Sequence, residues 1–271
     1  MTDGSTPTED RILSMDHHTA QLLVPRLVTD LVSTVDGANL TTAVPTCPGW
    51  DLGKLVRHVG TVYRWVGEIC TTQAQERVNI RNLDLQFPSG PAADWAGWLR
   101  ESGTLVVDAL DDTVSGTPVW AWGPDQRVDF WSRRMVHETA IHLADAQIAL
   151  GGASHLLPHV AADGVDEFLD NLPSALSTAP NEVGIPGDVT IHLHATDAAD
   201  AGPHPAEWTI DTAADGTFAW SHDHRKGAVA VRGTAEDLYL FAYGRLGVDD
   251  GRLDVIGDRD VLMQWVASSS T

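Results

Sequence analysis

One segment of the chain, residues 129–152, combines metal-binding residue types with helical spacing. Glu138 and His142 stand four residues apart in it, so on a helix both side chains project from one face, one turn apart. That face is otherwise apolar, and a carboxylate and an imidazole there need partners that replace their lost hydration. The two residues are either ligands of a metal ion or an ordinary i,i+4 hydrogen-bonded pair. A third ligand elsewhere in the chain has to decide between these interpretations.

The same segment has the features of a single helix. Asp129 is a residue type that caps or begins helices, no proline interrupts the segment, and Gly151 and Gly152 follow where a C-terminal stop is expected. His137 precedes Glu138 but projects about 100° away around the helix. It is therefore a poor ligand if Glu138 is one.

A second predicted helix supplies the third candidate ligand. It starts at Asp51, a good N-cap, and runs to about Thr72, with His58 at the edge of its apolar stripe. Alone, His58 is more often a helix histidine with an ordinary hydrogen bond. With Glu138 and His142 it completes a set of two imidazoles and one carboxylate, which suits zinc. Three protein ligands leave a fourth position open for water or substrate, as in catalytic sites.

The surrounding elements divide the chain into two predicted domains. Residues 1–15 are polar and acidic and predict a disordered lead-in. Residues 16–172 show helical periodicity and predict an antiparallel four-helix bundle with a trailing fifth helix. The predicted helices cover 16–35, 51–72, 95–110, 129–152 and 157–172. Residues 173–187, rich in proline and small residues, predict a linker.

Beyond the linker, the hydrophobic period changes from about 3.6 to about 2 residues. Short alternating runs in residues 188–271 predict strands, and TAEDLYLFAYGRL (234–246) predicts a helix capped by Thr234. The fold class is therefore α+β with two domains, a helical bundle followed by a small α+β domain.

The composition excludes several classes of function. The 271 residues include 17 basic and 38 acidic side chains, a formal net charge of −21. Nucleic acid and anionic membranes require a basic surface, so neither is an expected partner. The chain has no membrane-length apolar run and no apolar signal core, which predicts a cytoplasmic protein. We expect this protein to be a monomer or a homodimer. The two cysteines, Cys47 and Cys70, form no disulfide framework, and we expect Cys47 to be a buried turn residue.

Three segments carry a resemblance to a known family. The segments are PTCPGWDLGKLVRHVG (45–60), HETAIHLADA (137–146) and GTAEDLYLFAYGR (233–245). Together they resemble the mycothiol-dependent maleylpyruvate isomerase family. These proteins are actinobacterial members of the DinB-like helical-bundle superfamily. The resemblance covers most of the chain and implies a DinB-like metal-binding bundle over 16–172 and an α+β domain over 188–268.

The resemblance also implies a site. In that family a histidine after the PGW segment and an E-x-x-x-H pair hold zinc, and the matching residues here are His58, Glu138 and His142. One zinc ion per chain would then hold mycothiol, a low-molecular-weight thiol cosubstrate, as its nucleophilic thiolate.

Two reactions, and one non-catalytic role, are compatible with such a site. In an isomerase the thiolate adds to the conjugated double bond of a maleyl substrate, the new single bond rotates, and loss of the thiol leaves the trans isomer. In an S-transferase, serving detoxification or natural-product biosynthesis, the thiolate attacks another small electrophile and the conjugate is released. The third interpretation is a non-catalytic metal- or ligand-binding protein on the same fold, which needs no open zinc position.

Four further residues are candidates for substrate binding or for support of the ligands. An isomerase has to bind two substrate carboxylates, and arginine suits this best. Arg134, in the helix of the E-x-x-x-H pair, and Arg232 or Arg245 of the second domain are candidates, although such arginines are more often surface or helix-end charges. Asp145 either fixes His142 in orientation or is an ordinary helix residue.

Overall fold

The computed structural model describes residues 15–89, 94–178, 183–198 and 205–269. These residues contain seven α-helices and one five-stranded sheet, with helices first and the sheet in the C-terminal part. The predicted α+β class, a helical bundle followed by a small sheet-containing domain, is confirmed. Except for Met15, the predicted lead-in lies outside the described residues. Among the described helices, none combines the length and the apolar character that a membrane span requires.

Four helices form the N-terminal bundle. They are α1 (His17–Val35), α2 (Leu52–Thr71), α3 (Trp95–Asp111) and α4 (Val128–Ala149). α1 packs against α4 and α2 against α3, and contacts also join α1 to α3 and α2 to α4. The bounds agree closely with the predicted helices because apolar stripes at helical spacing meet in one core, where Leu52, Tyr63, Leu99 and Met135 are fully buried.

Two aspartates show how helix starts are set. Asp51 caps α2 as predicted, since its carboxylate accepts the backbone N–H of the first turn at 2.8 Å. Asp129 does not cap α4, which begins one residue earlier at Val128. Its carboxylate instead accepts hydrogen bonds of 2.6 Å from the Ser115 hydroxyl and the Gly116 N–H, and so ties the preceding loop to the helix.

A fifth helix, α5 (Pro158–Thr178), connects the bundle to the C-terminal part. It contacts α4 and also α6 (Ala235–Ala242), the helix that the sequence predicts after Thr234. α5 continues through Pro173 into residues for which the sequence predicts a linker. The predicted domain limits, 16–172 and 188–271, stay predictions.

The sheet has the order β3-β2-β1-β4-β5, with β1 parallel to β4 and the other neighbours antiparallel. Its strands are β1 (Thr190–Ala195), β2 (Glu207–Thr212), β3 (Phe218–Ser221), β4 (Val229–Gly233) and β5 (Asp254–Gly257), and α7 (Arg259–Ser269) follows. Ile191, Leu193, Trp208 and Ile210 alternate along β1 and β2 and are buried. The period-2 pattern thus supplies one apolar face, as predicted.

Gly60 permits the close approach of α2 and α3. A Cβ at this position would lie 2.3 Å from the ring of Trp98 in α3. We expect Gly60→Ala to lower the free energy of unfolding by about 1–3 kcal/mol, because a buried indole has to move. Gly67 of the same helix is the control, since its Cβ would meet its nearest neighbour at 3.5 Å. Gly67→Ala should be neutral or stabilise by about 0.5–1 kcal/mol in the same urea titration; equal stabilities of the two variants would contradict this account.

Candidate metal centre

The three predicted ligands, His58, Glu138 and His142, converge in the structure, and we call them the triad. Nε2 of His58 lies 2.9 Å from Oε1 of Glu138, and Nε2 of His142 lies 3.5 Å from the same oxygen. One donor atom from each residue lies within 4.8 Å of the other two. Zinc bonds of about 2.0–2.2 Å in tetrahedral geometry separate donor atoms by about 3.3–3.6 Å, so small shifts make the triad fit such an ion.

The helices explain this convergence. The four-residue spacing in α4 presents Glu138 and His142 to α2, and their side chains are only 10% and 7% exposed. His58 lies at the edge of the buried stripe of α2, with 39% of its side chain exposed. His137 points to the other side of α4, where its Nε2 lies 2.7 Å from a carboxylate oxygen of Asp163 in α5. Its angular position therefore separates it from the triad, as predicted.

Arg134 is an ion-pair partner of Glu138. Its Nη2 donates to Oε2 of Glu138 at 2.5 Å, and its Nη1 donates to both carboxylate oxygens of Glu167 in α5 at 3.1 and 3.0 Å. Burial raises the pKa of Glu138, but the Arg134 charge and hydrogen bonds from His142 and His58 outweigh it and hold that pKa well below its usual value. Glu138 is therefore ionised, with Oε2 engaged by Arg134 and Oε1 directed at the histidines.

Asp145 supports His142 from the other side. Its Oδ2 lies 2.9 Å from Nδ1 of His142, which leaves Nε2 of that ring facing Glu138. Asp145 also accepts a hydrogen bond of 2.6 Å from the Thr46 hydroxyl and two from Arg245, at 3.1 and 2.9 Å. Burial raises the pKa of Asp145, but the hydrogen bonds from His142 and Arg245 lower it below its usual value. A buried, ionised carboxylate thus orients the ring.

A cavity of about 520 Å³ opens beside His142, between the bundle and the C-terminal part. Trp50 from the bundle lines it, and so do Tyr243 and Arg245, which follow α6. Trp50 stacks on the His142 ring with centroids 6.0 Å apart and meets the His58 ring edge-on at 5.1 Å. The cavity has the size of a small-molecule site and reaches one ligand of the triad.

A second set of metal-ligating residues shares His142, because Cys47 and Asp145 also lie close to it. Nη2 of Arg245 lies 3.4 Å from Sγ of Cys47 and 2.9 Å from Oδ2 of Asp145. Burial and the Asp145 charge raise the pKa of Cys47 to about 11, so its thiol keeps its proton at neutral pH. A cation there would meet a guanidinium and a protonated thiol, and the triad is the better metal site.

The structure separates the other arginine candidates. Arg245 lines the cavity, whereas Arg134 lies behind Glu138. Arg232 is exposed on β4 as the register partner of His194 and does not line the cavity. Glu167 and Tyr243 contact Arg134 but are not among the residues predicted from the sequence; the Tyr243 hydroxyl lies 3.2 Å from Nη1 of Arg134. The only sequence signal for either is the place of Tyr243 in the GTAEDLYLFAYGR segment.

Comparison with known families finds a match for each part of the chain. The N-terminal domain of mycothiol maleylpyruvate isomerase matches residues 25–147, and the C-terminal domain of the same family matches residues 159–264. The chain belongs to the mycothiol maleylpyruvate isomerase family. The resemblance seen in the sequence is thereby confirmed, together with the DinB-like character of the helical part. No curated protein is significantly similar to the chain.

Proposed function

We propose that this member of the mycothiol maleylpyruvate isomerase family is a zinc-dependent enzyme that catalyses a maleylpyruvate isomerase-like cis–trans isomerisation with mycothiol. One observation carries the proposal: the triad, drawn from two helices far apart in sequence, lies at the edge of a cavity large enough for small molecules. The family membership supports the same thiol and substrate class.

The triad would hold the zinc ion through Oε1 of Glu138 and one nitrogen each of His58 and His142. When bound, the ion supplies a positive centre that stabilises a small thiol as thiolate at neutral pH. Arg134 keeps Glu138 ionised and occupies its other oxygen. With the ion bound, Asp145 would accept the Nδ1 hydrogen of His142, and Nε2 would carry no proton and offer its lone pair to the metal in place of its contact with Glu138.

Arg245 is the cavity-lining cation that we assign to substrate binding. Its hydrogen bonds to Asp145, Cys47 and the Tyr243 carbonyl use four of the five N–H donors of a guanidinium. The remaining donor is available to a substrate carboxylate. Because Arg245 is held by Asp145, it is also fixed relative to His142.

A thiol S-transferase is the second candidate, and the cavity wall favours it. Phe168, Phe241 and Trp265 line the cavity and give it an apolar side that suits a bulkier electrophile. The non-catalytic alternative gains less support, because the triad fits a metal ion with a coordination position left open.

One paired incubation separates these candidates. Zinc-loaded protein is given mycothiol with maleylpyruvate, and in parallel mycothiol with an electrophilic bimane. Conversion of maleylpyruvate to its trans isomer without net loss of thiol supports the isomerase. Consumption of thiol with formation of a conjugate indicates the transferase. Absence of both reactions with the triad fully loaded would contradict an enzymatic role on these substrates.

Asp145→Asn is expected to weaken zinc binding at the triad by about 10–100-fold, since the amide no longer fixes the His142 ring as a charged acceptor. Competition with a chromogenic zinc chelator measures the change. Asp163→Asn is the matched control, because it alters the carboxylate beside His137, a histidine of α4 outside the triad. Equal zinc affinities of the two variants would show that Asp145 does not support the ligand.

A further inference from the structure

A third group of metal-ligating side chains lies on the sheet, on the face opposite its apolar side. Along β1 the side chains alternate, so His192 and His194 share one face while Ile191 and Leu193 form the buried apolar one. In the antiparallel register His194 is paired with Glu207 of β2, which places Glu207 beside the two histidines. His224, three residues after β3, completes the group.

We call His192, His194, Glu207 and His224 the sheet cluster, and its distances are short. Oε1 of Glu207 lies 2.8 Å from Nδ1 of His194. Oε2 of Glu207 lies 3.3 Å from Nε2 of His192 and 2.5 Å from Nδ1 of His224. One donor atom from each of the four residues lies within 4.8 Å of the other three. None of the four lines the cavity beside the triad.

Three imidazoles surround one carboxylate in the sheet cluster. The rings of His192 and His224 meet edge-to-face with centroids 5.0 Å apart, and the His194 ring lies 6.1 and 6.5 Å from them. If all three were protonated, one carboxylate would face three positive charges. Neutral imidazoles instead present lone pairs, and three of them with a carboxylate are a ligand set for zinc and similar divalent transition metals.

We propose that the sheet cluster is a second metal site, which binds one zinc ion through His192, His194, Glu207 and His224. Four protein ligands complete a tetrahedral coordination sphere and leave no open position, so the site is structural. His192 is buried in the sheet, whereas the His224 side chain is 76% exposed. The ion therefore ties the segment after β3 to strands β1 and β2.

Zinc content of the intact protein tests the proposal. The protein is stripped with a chelator, reloaded with Zn²⁺, freed of excess metal by gel filtration and analysed by mass spectrometry of the elements. We expect two zinc ions per chain in the wild type and one in His224→Ala and in His194→Ala. The exposed His224 is chosen so that folding is preserved. His155→Ala, which changes an exposed histidine outside both sites, should keep two.

The outcome also separates this site from the triad. The His58→Ala variant should retain one zinc ion, and its melting temperature should still rise on zinc addition. The double variant His58→Ala/His224→Ala should bind no zinc, and zinc addition should leave its melting temperature unchanged. A wild type whose only zinc ion is lost in His58→Ala and kept in His224→Ala would overturn the second site and leave the proposed function intact. A single ion lost only in His224→Ala would support the second site and overturn the triad.

Discussion

His58→Ala, Glu138→Gln and His142→Ala are each expected to reduce mycothiol-dependent turnover by at least about 10³-fold, or about 4 kcal/mol of transition-state stabilisation. Each change removes one of only three protein ligands, and a two-ligand site holds zinc poorly. Glu138→Gln is the most informative of the three, because it keeps the shape of the side chain and removes only the charge. The expected loss of turnover in Glu138→Gln therefore reflects the loss of a metal ligand and not a change in the packing of α4.

The measurement pairs initial rates with zinc content and circular dichroism for each variant. His137→Gln is the control, since it replaces a buried histidine of the same helix that contacts Asp163 instead of the triad. It should keep zinc at the triad and the greater part of the turnover. Full activity and full zinc content in folded His58→Ala would contradict the assignment of the site.

Arg134→Met is expected to lower the free energy of unfolding by about 3–5 kcal/mol at neutral pH. The guanidinium lies between Glu138 and Glu167, whose side chains are only 10% and 2% exposed. Without Arg134 both carboxylates remain buried and lose the guanidinium that is hydrogen-bonded to them, and breaking a buried ion pair from one side costs more than the pair contributes. Arg252→Met is the control, because Arg252 pairs with Asp250 at the surface, and it should cost less than about 1 kcal/mol.

The stability lost in Arg134→Met is expected to depend on pH. In the wild type, burial raises the pKa of Glu167, but the Arg134 charge, together with the His137 and Arg133 charges and a hydrogen bond from Tyr243, holds that pKa below its usual value. The ion pair therefore stabilises the fold above the ordinary glutamate pKa of about 4.3, and this contribution is lost as the pH falls through the lower folded-state pKa. Without Arg134, burial favours the protonated acid. The difference in free energy of unfolding between the wild type and Arg134→Met, measured by urea titration, should thus become smaller as the pH falls from 7 to 4. A difference that does not change with pH would contradict the ion-pair explanation.

Local pattern was sufficient to predict the four helices of the bundle and the shared face of Glu138 and His142, whereas their role as metal ligands stays a prediction. Four-residue spacing places Glu138 and His142 on one face of any helix, and Asp51 marks the start of α2 from its residue type alone. Tertiary contacts were not predictable in this way. Arg134 meets Glu167 33 residues later, and Arg245 meets Asp145 across 100 residues, so each pair depends on how α5 and the C-terminal part pack on α4.

The sheet cluster also depends on a contact that local pattern does not predict, in this case between strands. The alternation of His192 and His194 is visible in the sequence, but their meeting with Glu207 depends on the register of β1 against β2. α5 is a further case, because the prolines after residue 172 predict a linker, yet the helix continues through Pro173 to Thr178. α5 packs against α6, a tertiary contact that the local sequence does not contain.

The location of zinc in a crystal of the reloaded protein tests the central claim most directly. Diffraction data collected on both sides of the zinc absorption edge place each ion without reference to activity. We predict an anomalous difference peak between Nε2 of His58, Oε1 of Glu138 and Nε2 of His142, at about 2.0–2.2 Å from each. A zinc-loaded crystal with no peak there, or with the peak between Cys47 and Asp145 instead, would contradict the triad as the metal centre.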